Sequence, residues 1–190
     1  MTQMTSWGER YLVHYENFFG DYVDALTSSQ DDDSPRIQVL TYGGVFSGCT
    51  TFCTLGLSHY REEIGCVAEL ILVAAGEHPE LVHVVAQCAF YLAQNSQEPM
   101  NGYVVDGLEN AFPDFCSKTG KNAVVYCNPV GLPSSFAEVP MKQEKGVMAM
   151  VVPICYEEGL FIKQNGMQAF EEKAQASKAD PFDLCRPCAV

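Results

Sequence analysis

The chain has 190 residues, 47% of them hydrophobic, with 15 Gly and 10 Pro, which is enough apolar mass for one large domain and excludes a disordered or fibrous chain. Its 24 acidic residues outnumber 11 basic ones for a net charge of −13, which argues against nucleic-acid binding by phosphate neutralisation and suits solubility or steering toward a basic partner. No apolar run approaches the roughly 20 residues of a membrane span, and MTQMTSWGER has neither a basic n-region nor an apolar stretch, so no signal peptide is expected and the chain reads as cytoplasmic.

Ser6 and Glu9 stand at capping-box spacing. Trp7, Tyr11, Tyr15, Phe18, Tyr22 and Leu26 then recur at steps of three and four, predicting an amphipathic helix to about Ala25, weakened or broken at Gly20. Residues 27–35, TSSQDDDSP, form a polar linker in which Asp31, Asp32 and Asp33 repel one another and stay solvated. They lack the Gly and closing Glu of a calcium loop.

Arg36–Tyr42 alternates as a strand, and Gly43-Gly44 turns it toward the most apolar part of the chain. There, two β-type runs, Cys49–Leu57 and Cys66–Ala75, flank a polar excursion over Ser58–Gly65 that carries His59, Arg61, Glu62 and Glu63. The second run suits a strand buried on both faces. Glu69 interrupts it and needs a partner, because a lone buried carboxylate is costly. Leu81–Asn95 is a helix with Pro79 before it, and His83 is read as a packed or surface histidine. Ser96–Cys116 is irregular except for a short strand at Tyr103–Val105. Asn122–Asn128 is a strand, Val130–Pro140 a loop, Met141–Gly146 a polar hairpin-like turn and Val147–Ile154 a buried strand that stops near Pro153. Two helical segments follow.

Three motifs resemble the suppressor-of-fused domain family. The first is TFCTLGLSHY followed by AELILVAA, a T-x-G-x-S strand end leading through a loop into an A-E-L-I strand; the intervening loop is more charged than the family's pattern. The second is VPICYEEGLFIKQNGMQAFEEKAQ, similar to a strand, a P-L/I-x-Y-E-E-E start of a helix, a turn and a second helix, with Gly159 in place of the third acidic residue. The third is Asp180-Pro181 through Arg186-Pro187, like the family's D-P-x-x-x-x-R-P tail. The matched order runs from about Thr51 to the end of the chain.

The residues offer no convincing catalytic set. Most of the nine cysteines sit singly in apolar runs and read as small buried hydrophobes with free thiols. Cys185 and Cys188 have CxxC spacing, yet no helix follows and no second ligand pair exists, so they read as dispensable tail residues. Cys49 or Cys53 with His59 makes a weak nucleophile–base pair, since a thiol inside an apolar strand is inert. Gly-rich phosphate loops are absent, and Glu157-Glu158 suit the first turn of a helix.

The expected fold is therefore α+β, a single domain over 1–190 with a mixed, mainly antiparallel sheet flanked by helices, as the resemblance implies. The eukaryotic family member holds a peptide as an added strand between two domains, and this chain is too short for the second. Single-domain bacterial relatives resemble immunity proteins of polymorphic toxin systems. The resemblance thus implies a non-catalytic protein-binding domain that neutralises a toxin in the cytoplasm; the charge of −13 suits a basic toxin domain and not nucleic acid, and the residues carry no cofactor, metal or membrane motif. A small thiol-dependent hydrolase and a peptide-binding adaptor are the alternatives. Asp31, Asp32, Asp33, Glu62 and Glu63 are the expected contact residues, because loops carry contacts more often than strands.

Overall fold

In the computed structural model, which describes residues 6–31, 34–141 and 144–190, the capping box forms as the sequence predicts. Ser6 accepts from the Glu9 N–H, and α1 runs over Trp7–Phe19. It ends at Gly20 rather than near Ala25, because Gly20 takes a positive φ of 76° and turns the chain. Asp24–Ser28, expected partly as helix and partly as linker, instead forms strand β1, paired antiparallel with β2 at Ile37–Gly43.

The remaining strands are β3 at Cys49–Leu55, β4 at Ala68–Ala75, β5 at Tyr103–Asp106, β6 at Ala123–Cys127, β7 at Glu138–Met141 and β8 at Glu144–Ile154. Helices are α2 at Arg61–Ile64, α3 at Leu81–Gln94, α4 at Pro113–Thr119, α5 at Tyr156–Asn165 and α6 at Met167–Ser177. One eight-stranded sheet has the order β1-β2-β3-β4-β8-β6-β5, with β7 also on β8. Its pairs are antiparallel except β4 with β8. The expected turn over Met141–Gly146 is narrower than read: Met141 already pairs with Glu144, so both arms of the hairpin are strand. The stretch expected to be irregular contains α4, started by Pro113 in its first turn and closed at Gly120.

Alternation along the central strands divides two apolar layers. On β4, Leu70, Leu72 and Ala74 pack with Leu81, Val84, Val85, Ala89 and Leu92 of α3. Ile71 and Val73 face the opposite layer, built from Trp7, Tyr11 and Tyr15 of α1, Ile162 of α5 and Phe170 of α6. With helices on both faces, β4 is buried along nearly its whole length, as its unbroken apolar run predicts. Tyr11 binds α1 to the sheet where its two halves meet in parallel: its hydroxyl donates to the Val147 carbonyl at 3.0 Å and lies 3.3 Å from that of Val67. Residue 146 must be glycine for this contact, since a Cβ there would overlap the Tyr11 hydroxyl.

The C-terminal segment is held by buried charge. Arg186 pairs with Glu158 through two bonds, at 2.5 and 3.1 Å, and both side chains are excluded from solvent. Glu158 also accepts from the N–H of Cys155 and of Ala189, while buried Lys121 donates to the Arg186 carbonyl. Gly159 fits its place because α5 lies close on β5: a Cβ there would stand 3.2 Å from Val104. A disulfide joins Cys155 to Cys188, 33 residues apart. This corrects the reading of Cys188 as a free, dispensable thiol: the fold returns the tail to the start of α5, a juxtaposition that sequence spacing does not reveal. Cys185 remains free and exposed.

Two expected outcomes follow from this anchor. Burial alone would raise the Glu158 carboxyl, but Arg186 and the two N–H donors hold it below its ordinary 4.5. A depressed folded-state value means stability that is complete above that range and is lost as pH falls through the folded value. Glu158→Gln leaves Arg186 buried without its counter-charge, so urea unfolding at neutral pH should show a loss of about 3–5 kcal/mol and a shallower acid limb than the parent. Cys188→Ser removes a loop closure of this length, and denaturation under non-reducing conditions should show a loss of about 3–4 kcal/mol. An unchanged midpoint in either variant contradicts the anchoring role.

Candidate partner-binding surface

Glu69 is fully buried, and every donor around it comes from the end of β3 and the turn after it. Its Oε1 accepts the N–H groups of Gly56 at 2.8 Å and Ser58 at 3.1 Å. Its Oε2 accepts the Leu57 N–H at 3.1 Å and the Thr54 hydroxyl at 2.7 Å. Thr54 in turn accepts from the Leu70 N–H. Each fixed residue of T-x-G-x-S thus has a physical task. Thr54 supplies its hydroxyl and Ser58 its backbone N–H, and Gly56 adopts φ 124° where a Cβ would collide with the Arg36 carbonyl. Burial raises the carboxyl while these hydrogen bonds pull it back, with a net upward displacement.

The carboxylate fixes a 3-10 turn over Leu57–Tyr60 that leads into α2, so the excursion expected as a loop is helical. Glu62 and Glu63 are exposed on α2, and Asp31 is exposed in a turn whose Ser34 donates to it from both N–H and hydroxyl. Asp32 and Asp33 lie outside the described residues. Tyr60 feels both Asp31 and Glu63: burial first, and then these two carboxylates, push its phenol up. Its hydroxyl donates to the Pro35 carbonyl at 2.7 Å, tying the acidic turn to α2. Glu62 does not join them. Successive residues on a helix point about 100° apart, and Glu62 lines a separate groove with Ser6, Trp7, Ser58, His59, Arg61 and Met141, of about 300 Å³. The indole N–H of Trp7, a residue lining this groove, is buried with no partner among the described residues. The sequence reading assigned Trp7 to the core and missed this polar edge; a lone Trp in the first turn of a helix was the available signal.

The free cysteines with displaced titration all move the same way. Burial raises Cys49 and Cys53, pushes Cys66 and Cys116 up to about 11, and Cys88 and Cys127 up to about 12. A nucleophilic thiol needs the opposite displacement. His83 is exposed on α3.

A mixed, largely antiparallel sheet between two helical layers, with a buried Glu at the centre of a T-x-G-x-S turn, defines the class of fold. The family model for suppressor of fused protein (SUFU) matches residues 33–187, and the chain belongs to that family. A SUFU homolog from Neisseria gonorrhoeae FA 1090 superposes with a TM-score of 0.75 at 16% identity, covering 97% of each chain. The Sufu-Fu complex structure matches at TM-score 0.66 and 10% identity over 96% of this chain and 90% of that one. Suppressor of Fused from Drosophila matches at 0.65 and 12%, over 96% of this chain and 50% of that one. None of the curated proteins matches the chain. Among the described residues, no helix is long and apolar enough to cross a membrane.

Removing the Glu69 carboxylate strands three buried N–H groups. Glu69→Ala should cost about 1–3 kcal/mol for each donor left without a partner, read as a lower urea midpoint. Glu69→Gln should rescue only part, since an amide offers one acceptor oxygen where the turn needs two. Full rescue by Gln would show that one oxygen suffices.

Proposed function

We propose that the chain acts as a single SUFU-type domain, a non-catalytic protein-binding module working in the cytoplasm as an immunity protein that neutralises a basic toxin domain. The observation that carries this reading is the exposure of Asp31, Glu62 and Glu63 on a chain of net charge −13. Such a surface attracts a cationic cleft over several ångströms and speeds encounter. Two further features support a protein ligand. Among the described residues β1 pairs on one side only, which leaves its other edge a place for an added strand. Tyr22 and Val23, just before it, are 46% and 72% exposed. Membership of a protein-binding family agrees, one neighbour being the Sufu-Fu complex. The upward-displaced thiols weigh against a thiol hydrolase.

The test is kinetic. Asp31, Asp32, Asp33, Glu62 and Glu63 are changed together to Asn and Gln, and binding to the captured partner is followed by surface plasmon resonance at low and physiological salt. The association rate at low salt should fall roughly ten- to a hundredfold and lose most of its salt dependence, with dissociation little altered. An unchanged rate and salt slope place the interface elsewhere.

A further inference from the structure

We propose that Cys155, Glu157 and Cys188 form a zinc site that opens when the Cys155–Cys188 disulfide is reduced. The two sulfurs and a Glu157 carboxylate oxygen all lie within 4.8 Å of one another, and Cys188 Sγ is 4.0 Å from Glu157 Oε2. Zinc–sulfur bonds of about 2.3 Å and zinc–oxygen bonds of about 2.1 Å in a tetrahedron put ligand atoms roughly 3.5–3.8 Å apart. Once the sulfur–sulfur bond is open, the three atoms reach that spacing by small movements.

The scaffold keeps them together without the disulfide. Glu158 accepts from the Cys155 N–H at 3.0 Å and from the N–H of Ala189, the residue after Cys188, at 2.9 Å. One buried carboxylate, itself clamped by Arg186, therefore holds the backbone at both cysteines. Cys155 is also the N-cap of α5, which fixes its sulfur at the start of that helix. Glu157 and Cys188 are exposed, so an ion can enter and water can take the fourth position. Two thiolates and a carboxylate are a borderline-soft set that suits zinc over magnesium or calcium.

The chemistry balances through a dithiol reductant of the thioredoxin or dithiothreitol class. The reductant's two electrons break the sulfur–sulfur bond and give two protein thiols, while the reductant leaves as its own disulfide. Zinc then displaces both thiol protons to solvent. The same sulfurs serve either bond, so disulfide and metal are mutually exclusive, and in a reducing compartment the dithiol form prevails. The tail stays fastened to α5 in either state, by covalent bond or by metal.

The experiment uses the full chain, reduced and desalted without oxygen, with Zn²⁺ titrated against a chromophoric chelator and Co²⁺ as a spectroscopic probe. The reduced protein should take up roughly one equivalent of zinc and show a sulfur-to-cobalt charge-transfer band; the oxidised protein should show neither. Cys155→Ser and Cys188→Ser should each abolish the band. Exposed Glu157→Gln, which leaves the Arg186–Glu158 anchor intact, should weaken zinc by at least roughly tenfold. Cys185→Ser should bind like the parent. Equal zinc uptake by oxidised and reduced protein overturns the proposal, as does an unaffected Glu157→Gln variant. Loss of the metal in Cys185→Ser would do the same, by moving the site to the CxxC pair.

Discussion

One carboxylate organises the centre of this fold. Glu69 sits in the most buried strand, where an unpaired charge is untenable, and the turn after β3 wraps three N–H groups and a hydroxyl around it. The requirement runs in both directions. Glu69 needs the donors, and the donors belong to a turn whose glycine conformation and close backbone approach leave them no water. That reciprocity explains why α2 starts where it does, and hence where Glu62 and Glu63 stand. A surface feature is positioned here by a core residue.

A second buried carboxylate repeats the logic at the other end of the chain. Glu158 takes Arg186 and two backbone N–H groups, so the tail closes over the first turn of α5 instead of trailing into solvent. Two motifs that look unrelated in sequence, the Y-E-E helix start and the R-P tail, are the halves of one ion pair. Lys121, buried and bonded to the Arg186 carbonyl, adds a third segment to the same knot. Its ammonium is pushed down by burial and by the neighbouring guanidinium, which marks the strain of holding two cations together. The disulfide then fastens a geometry that the charges already define.

Much of this was legible in the residues. The apolar run of β4, the capping box of α1 and the period of α3 are local signals; β4 and α3 formed within two residues of their expected bounds, while α1 began at its capping box but stopped at Phe19, short of the expected Ala25. What escaped is non-local. β1, with sequence DALTS, has no alternation worth reading; it is a strand because β2 offers it an edge. Cys155 and Cys188 become neighbours only through the tail's return. Asp31 and Glu63 both act on Tyr60, whose hydroxyl reaches back to the Pro35 carbonyl ahead of β2. Chain order separates these pairs, and only the sheet topology joins them.

The distribution of charge sharpens the functional argument. Among the described residues, the buried formal charges are Glu69 and Glu158 against Lys121 and Arg186. These cancel, so the imbalance of −13 belongs to the rest of the chain and none of it is neutralised inside. Several exposed acids do find cations, such as Glu138 with Lys145 and Asp106 with Lys163, but those pairs lie on β7–β8 and between β5 and α5. No ion pair is formed by Glu62 or Glu63 among the described residues. Exposed carboxylates such as these repel one another and stay solvated. The fold thus balances the formal charges it buries among the described residues and leaves its acidic excess outside that core.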